Sequence, residues 1–223
     1  METMGGVTIR VVDDGSGSHE VDLLEKLING LMKSHACLHP LLALPLNLGK
    51  GGAVYAGFQT AAADTEWLAF VDADGSITAA EVQRVMEMVR ELGPVSTAFF
   101  GSRIKMLGRN VDRQLKRHLV GRVYATLVSE LLNIPVYDSQ CGLKLVPRAA
   151  YERIRERLEI QGFAFDVELM TALLDSGCDV VEVPIDWHET PGGKVHLLRD
   201  SWRMFRDILN IRANHPRLHG SAS

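Results

Sequence analysis

The chain reads Trp67-Leu-Ala-Phe-Val71 and continues directly into Asp72-Ala-Asp-Gly-Ser76. A short apolar run that stops at two carboxylates and a glycine is typical of a buried β-strand ending in a polar turn. The same arrangement occurs earlier, where Val7-Thr-Ile-Arg-Val-Val12 stops at Asp13-Asp-Gly-Ser16. Two strands that end in acidic turns predict a sheet with carboxylates at its edge.

Helical patterns separate the predicted strands, and this alternation indicates an α/β layered domain. In such sheets ligands bind outside the carboxyl ends of the strands, which is where both acidic turns fall. We expect one domain over residues 1–212 and a flexible tail over 213–223. Strands are predicted near 7–12, 41–46, 67–71, 97–100, 143–146 and 179–185, and helices near 23–31, 53–63, 78–93, 112–132, 166–176 and 198–211.

The composition excludes several classes of protein. With 223 residues, 46% of them hydrophobic, the chain is long enough for a full-sized domain and is not a disordered chain. A net charge of −4 argues against a general nucleic-acid binder. The three cysteines lack metal spacing and predict a reducing compartment, and no apolar stretch approaches the roughly 20 residues of a membrane span. The first residues do not resemble a signal peptide.

The charge is unevenly distributed. Residues 1–100 hold six Lys/Arg against thirteen Asp/Glu, whereas residues 103–122 hold seven Lys/Arg against Asp112 alone. Arginine suits bidentate contact with phosphate, so this basic segment predicts an anion site. The alternative is a solvated face or a surface for a partner.

Asp72 and Asp74 are the strongest candidate metal ligands. Two carboxylates spaced i and i+2 in one turn can bind one hard cation that also holds a diphosphate. A plain Asp-Gly turn without a metal is the alternative from spacing alone. The stretch also resembles the nucleophile loop of haloacid-dehalogenase-type phosphatases, a Mg²⁺-dependent alternative in which Asp72 is the nucleophile.

Weaker candidates lie in the first quarter of the chain. Asp13 and Asp14 either accept hydrogen bonds from a ligand or cap the next helix. Lys50 and Gly51 lie at the start of a predicted helix, where free N–H groups favour an anion. The spacing matches neither a P-loop nor a dinucleotide fingerprint.

Taken in order, the motifs resemble the inverting family 2 glycosyltransferases of GT-A fold, and among them the polyprenyl- or dolichyl-phosphate sugar transferases, the glucosyl branch most of all. The resemblance covers residues 7 to 212. The motifs are Val12-Asp-Asp-Gly-Ser16, Asn47-x-Gly-Lys-Gly-x-Ala53, Asp72-Ala-Asp-Gly-Ser76, Gly101-Ser-Arg103, Asp138-Ser-Gln-Cys-Gly-Leu-Lys144, Phe165-Asp-Val-Glu-Leu169, and Val183-Pro to Trp187 with Gly193-Lys-Val195.

The resemblance implies a three-layer α/β/α sandwich with a mostly parallel central sheet, and it implies roles for individual residues. Asp13, Asp14, Lys50, Gly51 and Lys194 would lie on the nucleotide side of the donor site. Asp72 and Asp74 would hold the donor through Mg²⁺ or Mn²⁺, while Arg103 and Arg117 would bind the phosphate of the acceptor. Asp166 and Glu168 would be candidates for a base or sugar contact if the acceptor were a hydroxyl.

The implied reaction is a single inverting displacement. Glucose from UDP-glucose is the first expectation and mannose from GDP-mannose the second, with a polyprenyl or dolichyl phosphate as acceptor. The enzyme would act at the cytoplasmic face of a membrane through peripheral contact, with the basic segment near anionic headgroups. No expectation follows for the oligomeric state.

The resemblance also implies a strand and a helix ahead of the strand that ends at Asp13, and this sequence begins after them. We therefore expect a GT-A-like fold that lacks its first strand. A truncated homologue that binds a nucleotide sugar without transferring it is the non-catalytic alternative.

Overall fold

The computed structural model describes residues 6–92, 96–112, 115–190 and 197–214, without the side chains of residues 92, 115–123 and 197–205. Its contacts form two compact units, Met1–Ala62 with Gln161–Phe163, and Ala63–Ile160 with Ala164–Ser223. The acidic turn after Val12 belongs to the first unit and the one after Val71 to the second. One domain over residues 1–212 stays a prediction.

The first unit holds a short parallel pair of strands and two helices. Ile9 bridges Leu38, and pairing resumes between Val12 and Leu42. Ile9 and Val12 are three positions apart, whereas their partners Leu38 and Leu42 are four apart, so the partner segment carries one extra residue. That segment also contains Pro40, which has no N–H to donate. The predicted strand over residues 7–12 is therefore shortened to two residues. The elements are β1 (Val12–Asp13), α1 (Ser18–Met32), β2 (Leu42–Ala43) and α2 (Lys50–Gln59).

The second unit is built on a four-stranded sheet. In chain order its elements are β3 (Trp67–Val71), α3 (Ala79–Leu92), β4 (Thr97–Ser102), β5 (Val111–Asp112), α4 (Leu115–Leu132), β6 (Leu143–Pro147), α5 (Arg148–Ile154), a 3₁₀ turn (Arg155–Arg157), α6 (Phe165–Asp175), β7 (Asp179–Pro184), β8 (Trp187–His188) and α7 (Leu197–Asn214).

The sheet order is β3-β6-β4-β7, with β4 and β7 parallel and β6 antiparallel to both of its neighbours. This sheet is therefore mixed, although three of the five strand pairings in the described residues are parallel. Because β6 opposes β3, its first residue Leu143 pairs with Val71, the last residue of β3. The residues just before β6 consequently lie beside the acidic turn after β3.

Helices cover both faces of this sheet. Leu143 and Leu145 of β6 pack in a buried cluster with Val85 and Val89 of α3. Lys144 lies between them in sequence and so points to the opposite face, where α6 is buried along almost its whole length. The predicted three layers of helix, sheet and helix are present in this unit.

The short pair of β5 and β8 changes one predicted boundary. Val111 pairs with Trp187 and Asp112 with His188, so residues 111 and 112 are strand and α4 starts at Leu115 rather than near Asp112. The sequence patterns did not predict α5, β5 or β8, and two-residue strands leave no periodicity to detect.

No helix in the described ranges is long and apolar enough to cross a membrane.

Candidate active site

The backbone of Asp72 is held by the loop that precedes β6. Its N–H donates to the carbonyl oxygen of Gly142 at 2.8 Å, in line with the antiparallel register of β3 and β6. A Cβ atom at position 142 would overlap the carboxylate of Asp72, so only glycine leaves room for this side chain. The half-buried Asp72 therefore has a position defined by two strands.

Asp74 lies two residues further on and is exposed. Its Oδ1 accepts a hydrogen bond from the N–H of Ser76 at 2.9 Å, and Gly75 provides the positive φ of 74° at the corner. The segment after β7 ties this turn down, because the N–H of His188 donates to the carbonyl of Ser76 and the hydroxyls of Ser76 and Thr190 lie 3.4 Å apart. The turn that carries both carboxylates is thus ordered by local hydrogen bonds.

These two carboxylates fit a divalent cation that is shared with a substrate. No group of three or more His, Cys, Asp or Glu side chains suited to a metal occurs among the residues that the structure describes. Mg²⁺ in particular is commonly held by one or two carboxylates, with substrate phosphates and water completing the coordination. Asp72 and Asp74 match that donor set.

Arg103 forms a bidentate ion pair at the end of β4. Its Nε and Nη2 donate to the two carboxylate oxygens of Asp138 at 2.6 and 2.7 Å, and its backbone N–H donates to the same group. The guanidinium also lies 5.4 Å from the ring centre of Trp187. Burial opposes the charge of Arg103, but the charges of Asp138 and, more weakly, Asp72 outweigh it and raise its pKa. Arg103 is therefore always positively charged, and its charge interacts with that of the candidate metal ligand Asp72.

Asp138 is itself anchored from β7. The N–H groups of Tyr137 and Asp138 donate to the two carboxylate oxygens of Glu182 at 2.7 and 2.8 Å. This chain of contacts runs from β7 through the loop before β6 to Arg103. No role was predicted for Asp138, Glu182 or Gly142. For Glu182 the available signal was a carboxylate inside the apolar run of β7.

Asp166 does not lie on the surface of the site. It is 1% exposed, and its Oδ1 lies 2.6 Å from Nζ of Lys144, which is wholly buried between the rings of Phe70 and Phe100. Nζ of Lys144 also donates to the carbonyl of Cys141, the residue before Gly142. From the sequence, Asp166 was a candidate base or sugar contact only for a hydroxyl acceptor; in the structure it forms a buried ion pair with Lys144.

Two further ionisable groups near this pair have pKa values shifted by burial. Glu168 accepts hydrogen bonds from the N–H groups of Glu159 and Ile160, and burial raises its pKa despite them. Burial, with the charge of Asp138, raises the pKa of the Cys141 thiol to about 12. Cys141 is thus a neutral, enclosed thiol and not a nucleophile.

In the first unit the acidic turn organises its own loops. The carboxylate of Asp14 accepts hydrogen bonds from the N–H groups of Leu48 and Gly49 at 2.7 and 2.9 Å, while Asp13 accepts one from Ser16. The N–H of Gly51, at the start of α2, donates to the carbonyl of Gln161. Helix capping was the alternative left open for Asp13 and Asp14, but neither α1 nor α2 has a side-chain capping hydrogen bond at its N-cap, so these carboxylates order loops instead. Lys50 lies half-buried at the first position of α2.

Two predicted site residues fall outside the described part of the chain. The side chain of Arg117 in α4 and all of Lys194 are in this group. In the second unit, Asp72 and Asp74 lie in the turn after β3, Arg103 lies just after β4, and Asp138 lies in the loop before β6. Asp166 is buried against Lys144 of β6.

Comparison with known sequences identifies the family. The family described as Glycosyl transferase family 2 matches residues 3–155. The chain belongs to this family. The chain is 31% identical to a dolichyl-phosphate beta-glucosyltransferase of Saccharomyces cerevisiae over 92% of its own length and 64% of the relative. It is 30% identical to the Dictyostelium discoideum protein of that name over 92% and 62%, and 35% identical to glycosyltransferase AglD of Haloferax volcanii over 73% and 25%. It thus spans less than two thirds of the length of these curated relatives.

Solved structures confirm the fold of the chain. A glucosyl-3-phosphoglycerate synthase from Mycobacterium tuberculosis superposes with a TM-score of 0.58 at 13% identity, covering 95% of this chain and 81% of the other. A mannosyl-3-phosphoglycerate synthase from Rubrobacter xylanophilus gives 0.56 at 14% identity, covering 98% and 77%. The predicted glycosyltransferase family and GT-A-like α/β fold are both confirmed, and neither finding supports the phosphatase alternative.

Proposed function

We propose that this chain transfers glucose from UDP-glucose to a polyprenyl or dolichyl phosphate, with inversion at the anomeric carbon. The observation that carries the proposal is the acidic turn after β3, where Gly142 fixes the position of Asp72, in a chain similar to dolichyl-phosphate beta-glucosyltransferases. GDP-mannose is the second candidate donor. Action at the cytoplasmic face of a membrane is part of the same proposal.

In this proposal Asp72 and Asp74 hold Mg²⁺ or Mn²⁺ together with the diphosphate of the donor. When bound, such a cation neutralises the negative charge that develops on the leaving diphosphate. Structures of the M. tuberculosis synthase include complexes with Mn²⁺ and UDP, which supports a divalent cation in proteins of this fold in general. The choice between the two metals is open to direct measurement.

The acceptor side needs positive charge more than a base. A lipid phosphate is already ionised near pH 7, so its oxygen attacks without first losing a proton, and the bond from the sugar to the diphosphate breaks in the same step. Arg103 is the cation that we assign to this phosphate, held in place by Asp138 and backed by Trp187. Arg117 is proposed as the second arginine.

The buried position of Asp166 agrees with this mechanism. A carboxylate 2.6 Å from Lys144 and 1% exposed is poorly placed to accept a proton from a substrate. We therefore propose that Asp166 positions Lys144 rather than acting as a base. Contacts of Asp13, Asp14, Lys50, Gly51 and Lys194 with the donor nucleotide remain part of the proposal.

Donor binding and transfer test the proposal in two steps. UDP-glucose with Mn²⁺ should raise the melting temperature of the protein more than GDP-mannose does, because a ligand that binds only the native state stabilises it. Labelled glucose should then enter an organic-extractable lipid product when dolichyl phosphate is supplied. Asp72→Asn should lower this transfer by about a hundredfold.

Asp64→Asn is the matched control, because Asp64 is an exposed carboxylate of the same unit that lies before β3. Equal loss in both variants would contradict the role of Asp72. Donor binding without transfer to any lipid phosphate would identify a binding homologue, and no response to any nucleotide sugar by the folded protein would reject the proposal.

A further inference from the structure

The loop after β4 displays an apolar turn. The N–H of Arg109 donates to the carbonyl of Met106 at 3.2 Å, and Gly108 has a φ of +83°. A glycine with positive φ at the third position of a four-residue turn is the pattern of a type II turn, which places Leu107 at the second position, at the corner. Leu107 is 98% exposed and Met106 is 48% exposed.

The base of this turn is fixed to the rest of the second unit. On one side, Arg103 is paired with Asp138. On the other, the N–H of Asn110 donates to Asp186 at 2.7 Å, and the carbonyl of Asn110 accepts from Trp187. The two apolar side chains at the tip are therefore held away from the protein core by an anchored loop.

Single exposed leucines are common, but this pair lies in a strongly basic segment. Residues 103–122 carry seven Lys/Arg and one acidic residue in a protein whose net charge is −4. Lys105, next to Met106, is exposed, whereas Arg103 and Arg109 are paired with carboxylates of the protein itself. Apolar side chains flanked by positive charge match the interface of an anionic bilayer, where the apolar groups leave water and the cations meet lipid headgroups.

We propose that the turn formed by Met106 and Leu107 inserts into the interface of anionic membranes. This inference rests on the proposed function, because the insertion would bring the enzyme to a lipid acceptor. Met106 lies three positions after Arg103, so their Cα atoms lie at most about 11 Å apart. With the turn inserted roughly 5–10 Å into the interface, Arg103 would therefore lie close to the level of the lipid phosphates.

Vesicle binding tests the insertion without requiring turnover. The full chain is sedimented with vesicles of phosphatidylcholine alone and with vesicles that also contain phosphatidylglycerol. Leu107→Ser should lower the partition onto anionic vesicles about tenfold, since removing one leucine from the interface costs on the order of 1.4 kcal/mol. Leu23→Ser is the control, because Leu23 is 55% exposed on α1 in the first unit. Unchanged binding of Leu107→Ser, or an equal loss with Leu23→Ser, would overturn the insertion.

A second comparison separates this inference from the proposed function. Leu107→Ser should retain glucose transfer to a water-soluble short-chain polyprenyl phosphate and lose it several-fold when the acceptor is embedded in vesicles. Vesicle binding that depends on Leu107, in a protein without transfer, would support the insertion and reject the proposed function. Transfer by a protein that binds no vesicles would support the proposed function and reject the insertion. Self-association that depends on Leu107, with vesicle binding unaffected, would assign the turn to a second copy of the chain and overturn the insertion.

Discussion

Gly142 shows how one absent side chain shapes the candidate active site. Its carbonyl accepts the N–H of Asp72, and the space where its Cβ would lie is filled by the Asp72 carboxylate. The resemblance motif includes this glycine, but the reason for it appears only when β3 and β6 are paired. Position 142 therefore controls the placement of the first candidate metal ligand.

Gly142→Ala should displace Asp72 and weaken metal-dependent donor binding. The overlap should also lower the free energy of unfolding by about 1–3 kcal/mol, as overpacking commonly does. The measurement is the Mn²⁺-dependent rise in melting temperature with UDP-glucose, which should be lost or strongly reduced. Gly30→Ala in α1 is the control, since a Cβ there meets nothing within 4 Å, and alanine is expected to leave donor binding unchanged. A normal donor response in Gly142→Ala would contradict the positional role.

One buried ion pair connects β6 to α6. Lys144 and Asp166 are 0% and 1% exposed, and Nζ of Lys144 also donates to the carbonyl of Cys141, at the end of the loop before β6 and next to Gly142. A buried charge without its partner is costly, whereas an apolar pair of similar volume can replace both charges at little cost. Through Lys144 and the Cys141 carbonyl, the ion pair connects α6 to the loop that contacts Asp72.

Lys144→Met alone should destabilise the protein by about 3–5 kcal/mol, because the carboxylate of Asp166 is left buried and uncompensated. Asp166→Leu alone should have a comparable effect. The double variant Lys144→Met/Asp166→Leu should recover a large part of the loss, measured by urea unfolding as a double-mutant cycle. Additive losses across the cycle would show that the two residues do not act as a pair.

The contacts of the chain define two compact units. The prediction of a single domain is a prediction that these two units unfold together. All three tryptophans, Trp67, Trp187 and Trp202, belong to the second unit, whereas Cys37 belongs to the first. Cys37 is partly exposed and Cys141 is fully buried. Each unit therefore carries its own spectroscopic or chemical probe.

A single domain predicts one cooperative transition. The urea midpoint from tryptophan fluorescence should coincide with the midpoint for a fluorophore attached to Cys37, because two-state unfolding gives the same transition with every probe. Labelling of Cys141 should begin only in that transition. Midpoints that differ between the two probes would instead establish two separately folding units.

The sequence by itself determined the α/β alternation, the position of β3, the acidic turn after it and the family, because these depend on local hydrophobic patterns and ordered motifs. It left open whether Asp166 is a base and gave no role to Gly142, Asp138 or Glu182. Those assignments depend on β6 running antiparallel to β3 and β4, which brings residues 138–144 to the ends of both strands. Strand direction and register are set by long-range pairing, and no local pattern records them.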